Sequence, residues 1–169
     1  MSSLIAAYNK KLVAGECHPD DDQMRAIGFL DQLGDFLLSP EQLKRKKFLE
    51  RLARKTSASE VKGGIYLYGG VGRGKTMVMD LFFKSLPIAE KRRVHFHAFM
   101  LEVHDYLHRR RQARSDAREK NPIDDDLMAY VRDVAAKTRL LCFDEFFVKD
   151  VADAMILGRL FTALLDQGV

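Results

Sequence analysis

Compact apolar runs and amphipathic stretches alternate along the chain, and their order predicts its architecture. Gly64-Ile65-Tyr66-Leu67-Tyr68 is short, β-branched and aromatic, which predicts a buried strand. Val94-His95-Phe96-His97, introduced by the basic Lys91-Arg92-Arg93, predicts a second strand. Leu140-Leu141-Cys142-Phe143 is apolar throughout, as in strands covered on both faces. Helical spacing fills the intervals. Leu4 to Val13 is weakly amphipathic and ends at Gly15, while Ile27, Leu30, Leu33 and Leu37 share a face after a first turn of Pro19, Asp20, Asp21 and Asp22. Ser39-Pro40-Glu41-Gln42 supplies a cap, a helix-opening proline and a capping-box Gln for a basic helix to about Arg54, with Thr56 to Gly64 as linker. Further helices are expected over Met77 to Leu86, over Phe99 to about Arg114 with Leu101, Val103 and Leu107 apolar, and from Asn121 to about Lys137. A last one runs from Asp150 through Leu165 and stops at Gly168. Strands alternating with helices predict an α/β fold with a parallel sheet, residues 61–169, behind a helical extension, residues 1–60.

Composition narrows the class without changing that picture. The 169 residues are 47% hydrophobic and 31% charged, enough for one core and too mixed for disorder. The net charge of +4 is mildly basic, and the excess is concentrated in Lys44-Arg45-Lys46-Lys47 and Arg109-Arg110-Arg111. No apolar run approaches the ~20 residues that cross a bilayer. The start lacks the basic and apolar regions of a signal peptide and the Arg- and Ser-rich character of a transit peptide. Cys17 and Cys142 have no metal-type spacing, so the expected setting is a reduced bacterial cytoplasm.

The chemistry is concentrated in two segments. Gly69-Gly70-Val71-Gly72-Arg73-Gly74-Lys75-Thr76 is a complete phosphate-binding loop, placed between a predicted strand and a predicted helix as such a loop must be. Glycines let backbone N–H groups close around phosphate oxygens, and a helix N-terminus adds the positive end of its dipole. Lys75 is then placed to reach the β- and γ-phosphates and the Thr76 hydroxyl to ligate Mg²⁺, so the ligand is ATP or GTP. The second segment is Asp144-Glu145, at the carboxyl end of the Leu140 strand, where open α/β sheets collect ligands. An Asp there can hold Mg²⁺ and a Glu one residue on can orient or deprotonate the attacking water. The alternative for the pair is an acidic helix-capping region. Joined to the loop, it favours nucleotide hydrolysis over phosphoryl transfer to a small molecule.

These two segments, with Lys91-Arg92-Arg93-Val94-His95-Phe96-His97 and the stretch from Leu141 through Asp150-Val151-Ala152-Asp153-Ala154 to Phe161, resemble the AFG-like branch of the AAA ATPases over nearly the whole chain. The resemblance implies ATP at Gly69 to Thr76, Mg²⁺ at Thr76 and Asp144, and Glu145 with Lys75 as the catalytic residues. It also implies a homo-oligomeric ATPase associated with the bacterial division ring, with a tubulin-like division protein as partner. Family members continue into a sensor strand, an arginine finger and a helical lid. None is present in this sequence, so the expectation is an N-terminal fragment with an incomplete sheet, poorly stable and slow in ATP turnover alone.

Lesser signals have weaker claims. His95 and His97 alternate on the predicted strand, and His104 and His108 lie one helical turn apart, but no further ligand completes a metal set. Phe99-Met100 fits core packing as well as a substrate-gripping loop. Arg109-Arg110-Arg111 with Arg114 and Arg118 could serve a helicase-loader-like ATPase on DNA, although a solvated helix face is the expected reading and nucleic acid is not an expected partner. Phe82, Phe83, Phe146 and Phe147 are expected in the core.

Overall fold

A computed structural model describes residues 3–39, 63–113, 122–148 and 150–169. The basic helix expected after Ser39, the Asn121 cap, Arg114 and Arg118 lie outside the described residues. The chain divides into two units, Met1–Ala89 and Glu90–Val169.

In the first unit, α1 is Ser3–Val13, α2 is Asp21–Leu38 and α3 is Lys75–Ser85. Helix α2 begins where its sequence supplies a cap. Asp20 is extended, and its carboxylate accepts the backbone N–H groups of Asp22 at 2.9 Å and Gln23 at 3.1 Å, a cap worth about 1 kcal/mol. Pro19 therefore precedes the helix instead of sitting in its first turn. Leu4 and Tyr8 of α1, Ile27, Leu30 and Leu37 of α2, and Val78, Leu81 and Phe82 of α3 are buried together in this unit's core. Gly34 of α2 is buried against α3, and a Cβ there would make ordinary contact with Leu86 at 3.4 Å and Phe82 at 3.5 Å.

The strand expected at Gly64–Tyr68 does not form. Residues 63–70 carry no β-ladder, and Tyr66 and Tyr68 are 67% and 84% exposed, their rings stacked 6.3 Å apart. Local β propensity supplies extension, but a strand exists only through ladder bonds to a neighbour. The sheet of the described residues is β1 beside β2 and nothing more, against three strands expected.

The second unit runs β1 (Lys91–His95), α4 (Phe96–Ala113), α5 (Pro122–Lys137), β2 (Leu140–Asp144) and α6 (Val151–Asp166). The two strands are parallel, as the alternation of elements predicts, in a register that sets Lys91 opposite Leu140 and His95 opposite Asp144. The β1 strand is displaced from its expected place. It ends at His95, and Phe96 and His97 open α4, so the two histidines do not share a sheet face. Burial decides this boundary: the Phe96 ring lies 4.4 Å from Phe146 and 5.9 Å from Phe143. Phe99 adds an edge contact with Phe143 at 4.9 Å, and Phe161 closes the cluster at 5.7 Å, each such pair contributing about 0.5–1.5 kcal/mol beyond its area.

Phe99 and Met100 are thus core residues of this unit, with Val103, Leu107, Val131 and Leu160. Phe147, expected inside, is 67% exposed, and Leu101 on α4 is 57% exposed. Polar tethers fix α4 against its neighbours. Glu102 takes the Arg92 guanidinium and accepts the Tyr130 hydroxyl at 3.0 Å, and the Arg92 bond holds its carboxyl below the usual range. Among the described residues no helix is long and apolar enough to cross a membrane.

Candidate phosphate-binding site

The loop from Gly69 to Thr76 owes its shape to glycine. Gly72 and Gly74 adopt φ of +77° and +81°, conformations that cost an ordinary L residue about 1–2 kcal/mol. Gly74 is also the cap residue of α3, and as a glycine it brings no side chain to that first turn. The N–H groups of a first helical turn, with the helix dipole, form a ready anion site. A Cβ at Gly69 or Gly72 would meet nothing within 4 Å, so both glycines border open space. Lys75 lies across the loop and donates from Nζ to the carbonyls of Gly69 at 2.9 Å and Gly70 at 2.7 Å. Thr76, next along α3, is exposed. The donor set therefore fits a nucleotide's phosphates.

Helices α1 and α2 hold this loop from behind. Arg73, between the two left-handed glycines, places its guanidinium 3.2 Å from Asp20 and 3.8 Å from Asp22. Its carbonyl accepts Gln23 Nε2 at 3.1 Å. A cavity of about 340 Å³ opens beside the loop, lined by Glu16, Cys17, His18, Asp20, Gly72 and Met77 among others. That volume is within the range of small-ligand pockets, roughly 300–1,000 Å³.

Gly74 tests the requirement for glycine most severely. A Cβ there would stand 2.8 Å from Gln23 Nε2, on top of the backbone strain. Gly74→Ala is expected to weaken nucleotide binding about tenfold, from that strain alone. Isothermal titration with ADP checks this, and an affinity equal to wild type would show that the αL turn is dispensable.

The acidic pair closes β2 in the second unit. Asp144 is buried and receives the Arg93 guanidinium from the neighbouring strand. Arg93 stands opposite Cys142, so guanidinium and carboxylate meet diagonally across the ladder. Glu145 is exposed and has φ of +50°, the one non-glycine residue with positive φ among those described. Left-handed backbone at a bulky residue is uncommon and concentrates at functional turns. Burial pushes the Cys142 thiol up to about 11, which makes it an inert core group.

Three of the remaining candidates, His104, Arg109 and Arg110, are engaged in ion pairs within the second unit. His104 Nε2 lies 2.7 Å from Asp153, and no cluster of three or more metal-ligating side chains occurs among the described residues. In the basic run, Arg109 pairs with Asp105 at 2.9 Å and Arg110 with Asp126 at 3.1 Å. Sequence reasoning missed Tyr8, Gln23 and Arg93. Asp20 and Gln23 signal a helix start, but nothing in their spacing points to a loop 50 residues away.

The model of the family described as AFG1-like ATPase matches residues 2–169. The chain is 39% identical over 171 residues to the cell division protein ZapE of Escherichia coli, covering 96% of this chain and 42% of that protein. It is 35% identical to an uncharacterized protein of Schizosaccharomyces pombe over 98% of this chain and 41% of the other. It is 47% identical to lactation elevated protein 1 homolog B of Danio rerio over 63% of this chain and 21% of the relative. The chain thus spans about two-fifths of the length of the first two relatives. No solved structure matches the chain.

Proposed function

The chain belongs to the AFG1-like ATPase family, of P-loop NTPase type, and on that premise we propose that it binds ATP and hydrolyses it in an AAA-type site. The observation that carries this reading is the glycine loop with Lys75 lying across it and the N-terminus of α3 behind it. In the proposal, the backbone N–H groups of Gly69 to Thr76 hold the phosphates, and Lys75 leaves the Gly69 and Gly70 carbonyls to reach the β- and γ-phosphates. Thr76 and Asp144 are the residues to hold Mg²⁺, which would neutralise phosphate charge and orient the phosphates in line. Glu145, held outward at the end of β2 by its left-handed backbone, takes the proton of the attacking water.

The likeness to a cell division protein supports a role in division for the whole protein, with ATP hydrolysis used on a protein partner. A tubulin-like division-ring protein is the proposed partner, a homo-oligomer the proposed state and the bacterial cytoplasm the proposed setting. The helicase-loader reading draws on the basic end of α4, where Arg109 and Arg110 already face acidic partners.

Binding of a fluorescent ATP analogue to this chain, with phosphate release by the whole protein in the presence of Mg²⁺, tests the proposal. Saturable binding and release that chelation of Mg²⁺ suppresses are expected. A chain that shows no saturable nucleotide binding at millimolar ATP would overturn it.

A further inference from the structure

We infer that Gln23, steered by Tyr8, is a positioning residue for the phosphate loop, setting the loop's shape before nucleotide arrives. The inference rests on the nucleotide-site reading but is read out separately from it. Three observations within the first unit converge. Arg73 sits between glycines at φ +77° and +81°, so the backbone on both sides of it has little conformational preference of its own. That one residue is gripped at both ends by the first turn of α2: Gln23 Nε2 donates to its carbonyl at 3.1 Å, and Asp20 pairs with its guanidinium at 3.2 Å. Finally, the Gln23 side chain is itself oriented. Its Oε1 accepts the hydroxyl of the fully buried Tyr8 at 3.1 Å, which leaves Nε2 as the group that faces the loop.

The parts form one chain of dependence. Leu4 and Tyr8 anchor α1 in the core, the Tyr8 hydroxyl fixes the amide of Gln23, and that amide fixes the carbonyl between the two glycines. The Asp20 carboxylate joins the same assembly, since it accepts the Gln23 backbone N–H at 3.1 Å as it caps α2. A loop made flexible by glycine loses conformational entropy when it closes on a ligand, and a contact that orders it beforehand lowers that cost. The space next to Gly74 has the same explanation. The site a Cβ would need lies 2.8 Å from Gln23 Nε2, so the glycine leaves room for the clamp as well as for the turn.

Three substitutions test the inference. Gln23→Glu keeps size and helix propensity but puts an oxygen against the Arg73 carbonyl. Gln23→Ala removes the contact, and Tyr8→Phe removes only the hydroxyl that orients the amide. Each variant of the chain is read by hydrogen exchange of the amides at 70–74 without ligand, by the Kd of a fluorescent ADP analogue, and by Tm. Faster exchange in the loop and a Kd raised about tenfold for Gln23→Glu are expected, with a smaller rise for Tyr8→Phe and Tm moved by only a few degrees. Loop exchange and Kd both unchanged in all three variants would overturn the inference. So would a Kd that rises only in variants whose Tm collapses, because the role would then be structural. If the wild-type chain binds no nucleotide, the functional reading falls, and the exchange rates alone decide whether Gln23 orders the loop.

Discussion

Lys75→Ala is expected to remove nucleotide binding while leaving the fold in place. The Lys75 ammonium bonds the carbonyls of Gly69 and Gly70 in the free chain, and its exchange of those neutral acceptors for phosphate oxygens is what the proposal requires. Hydrogen bonds to charged groups contribute about 1.5–3 kcal/mol, so loss of the ammonium should raise the Kd for ATP about a hundredfold or more. Stability should change little, because the bonds lost are made in a solvent-accessible loop. Titration with ATP beside a thermal melt separates the two. An affinity within a few-fold of wild type, on a folded variant, would make the loop a structural turn and end the ATPase reading of this segment.

Glu145→Gln should keep ATP bound and stop its turnover. The substitution preserves size and polarity, and Gln tolerates the φ of +50° no worse than Glu, so the end of β2 keeps its course. What disappears is the capacity to accept a proton. General-base catalysis contributes roughly a hundred- to ten-thousandfold, and kcat should fall by that amount while Kd for ATP stays near wild type. Single-turnover phosphate release by the whole protein, with nucleotide binding measured in parallel, gives both quantities. Turnover that survives the change would assign the base to another residue. A joint loss of binding and turnover would instead point to a disturbed strand end, with the neighbouring Asp144–Arg93 pair as the first place to look.

Much of this site is legible without coordinates because its signals are local. In the proposal, Gly69 to Thr76 acts through backbone conformations that only glycine adopts cheaply and through a lysine and threonine at fixed offsets from them. Four apolar residues ending in Asp144-Glu145 likewise state a strand and its polar edge within one short segment, and the structure has β2 at Leu140–Asp144. The helix start at Asp20 is equally local, since its cap is a bond between a side chain and the next turn. The misread elements are those that depend on a partner. Ile65 to Tyr68 has the composition of a strand, yet no ladder forms there among the described residues. Phe96 and His97 continue the β1 pattern, but Phe143 and Phe146 draw the Phe96 ring into the core and the chain turns helical there.

By itself, then, the sequence determined the alternation of strands and helices in the second unit, the glycine loop proposed to hold phosphate, and the acidic strand end. The loop and the strand end are stated by residues within a turn or two of one another, and the alternation by the apolar spacing of each segment. The β1–β2 ladder itself, however, pairs Lys91 with Leu140. Tertiary structure alone decided where β1 stops, that Arg93 faces Asp144, and that Tyr8 and Gln23 stand behind Arg73. Those pairings join residues 15, 50 and 51 positions apart. At such separations no periodicity or spacing links the partners. The energy that selects them comes from burying α1, α2 and α3 together in one unit, and β1, β2 and their helices in the other.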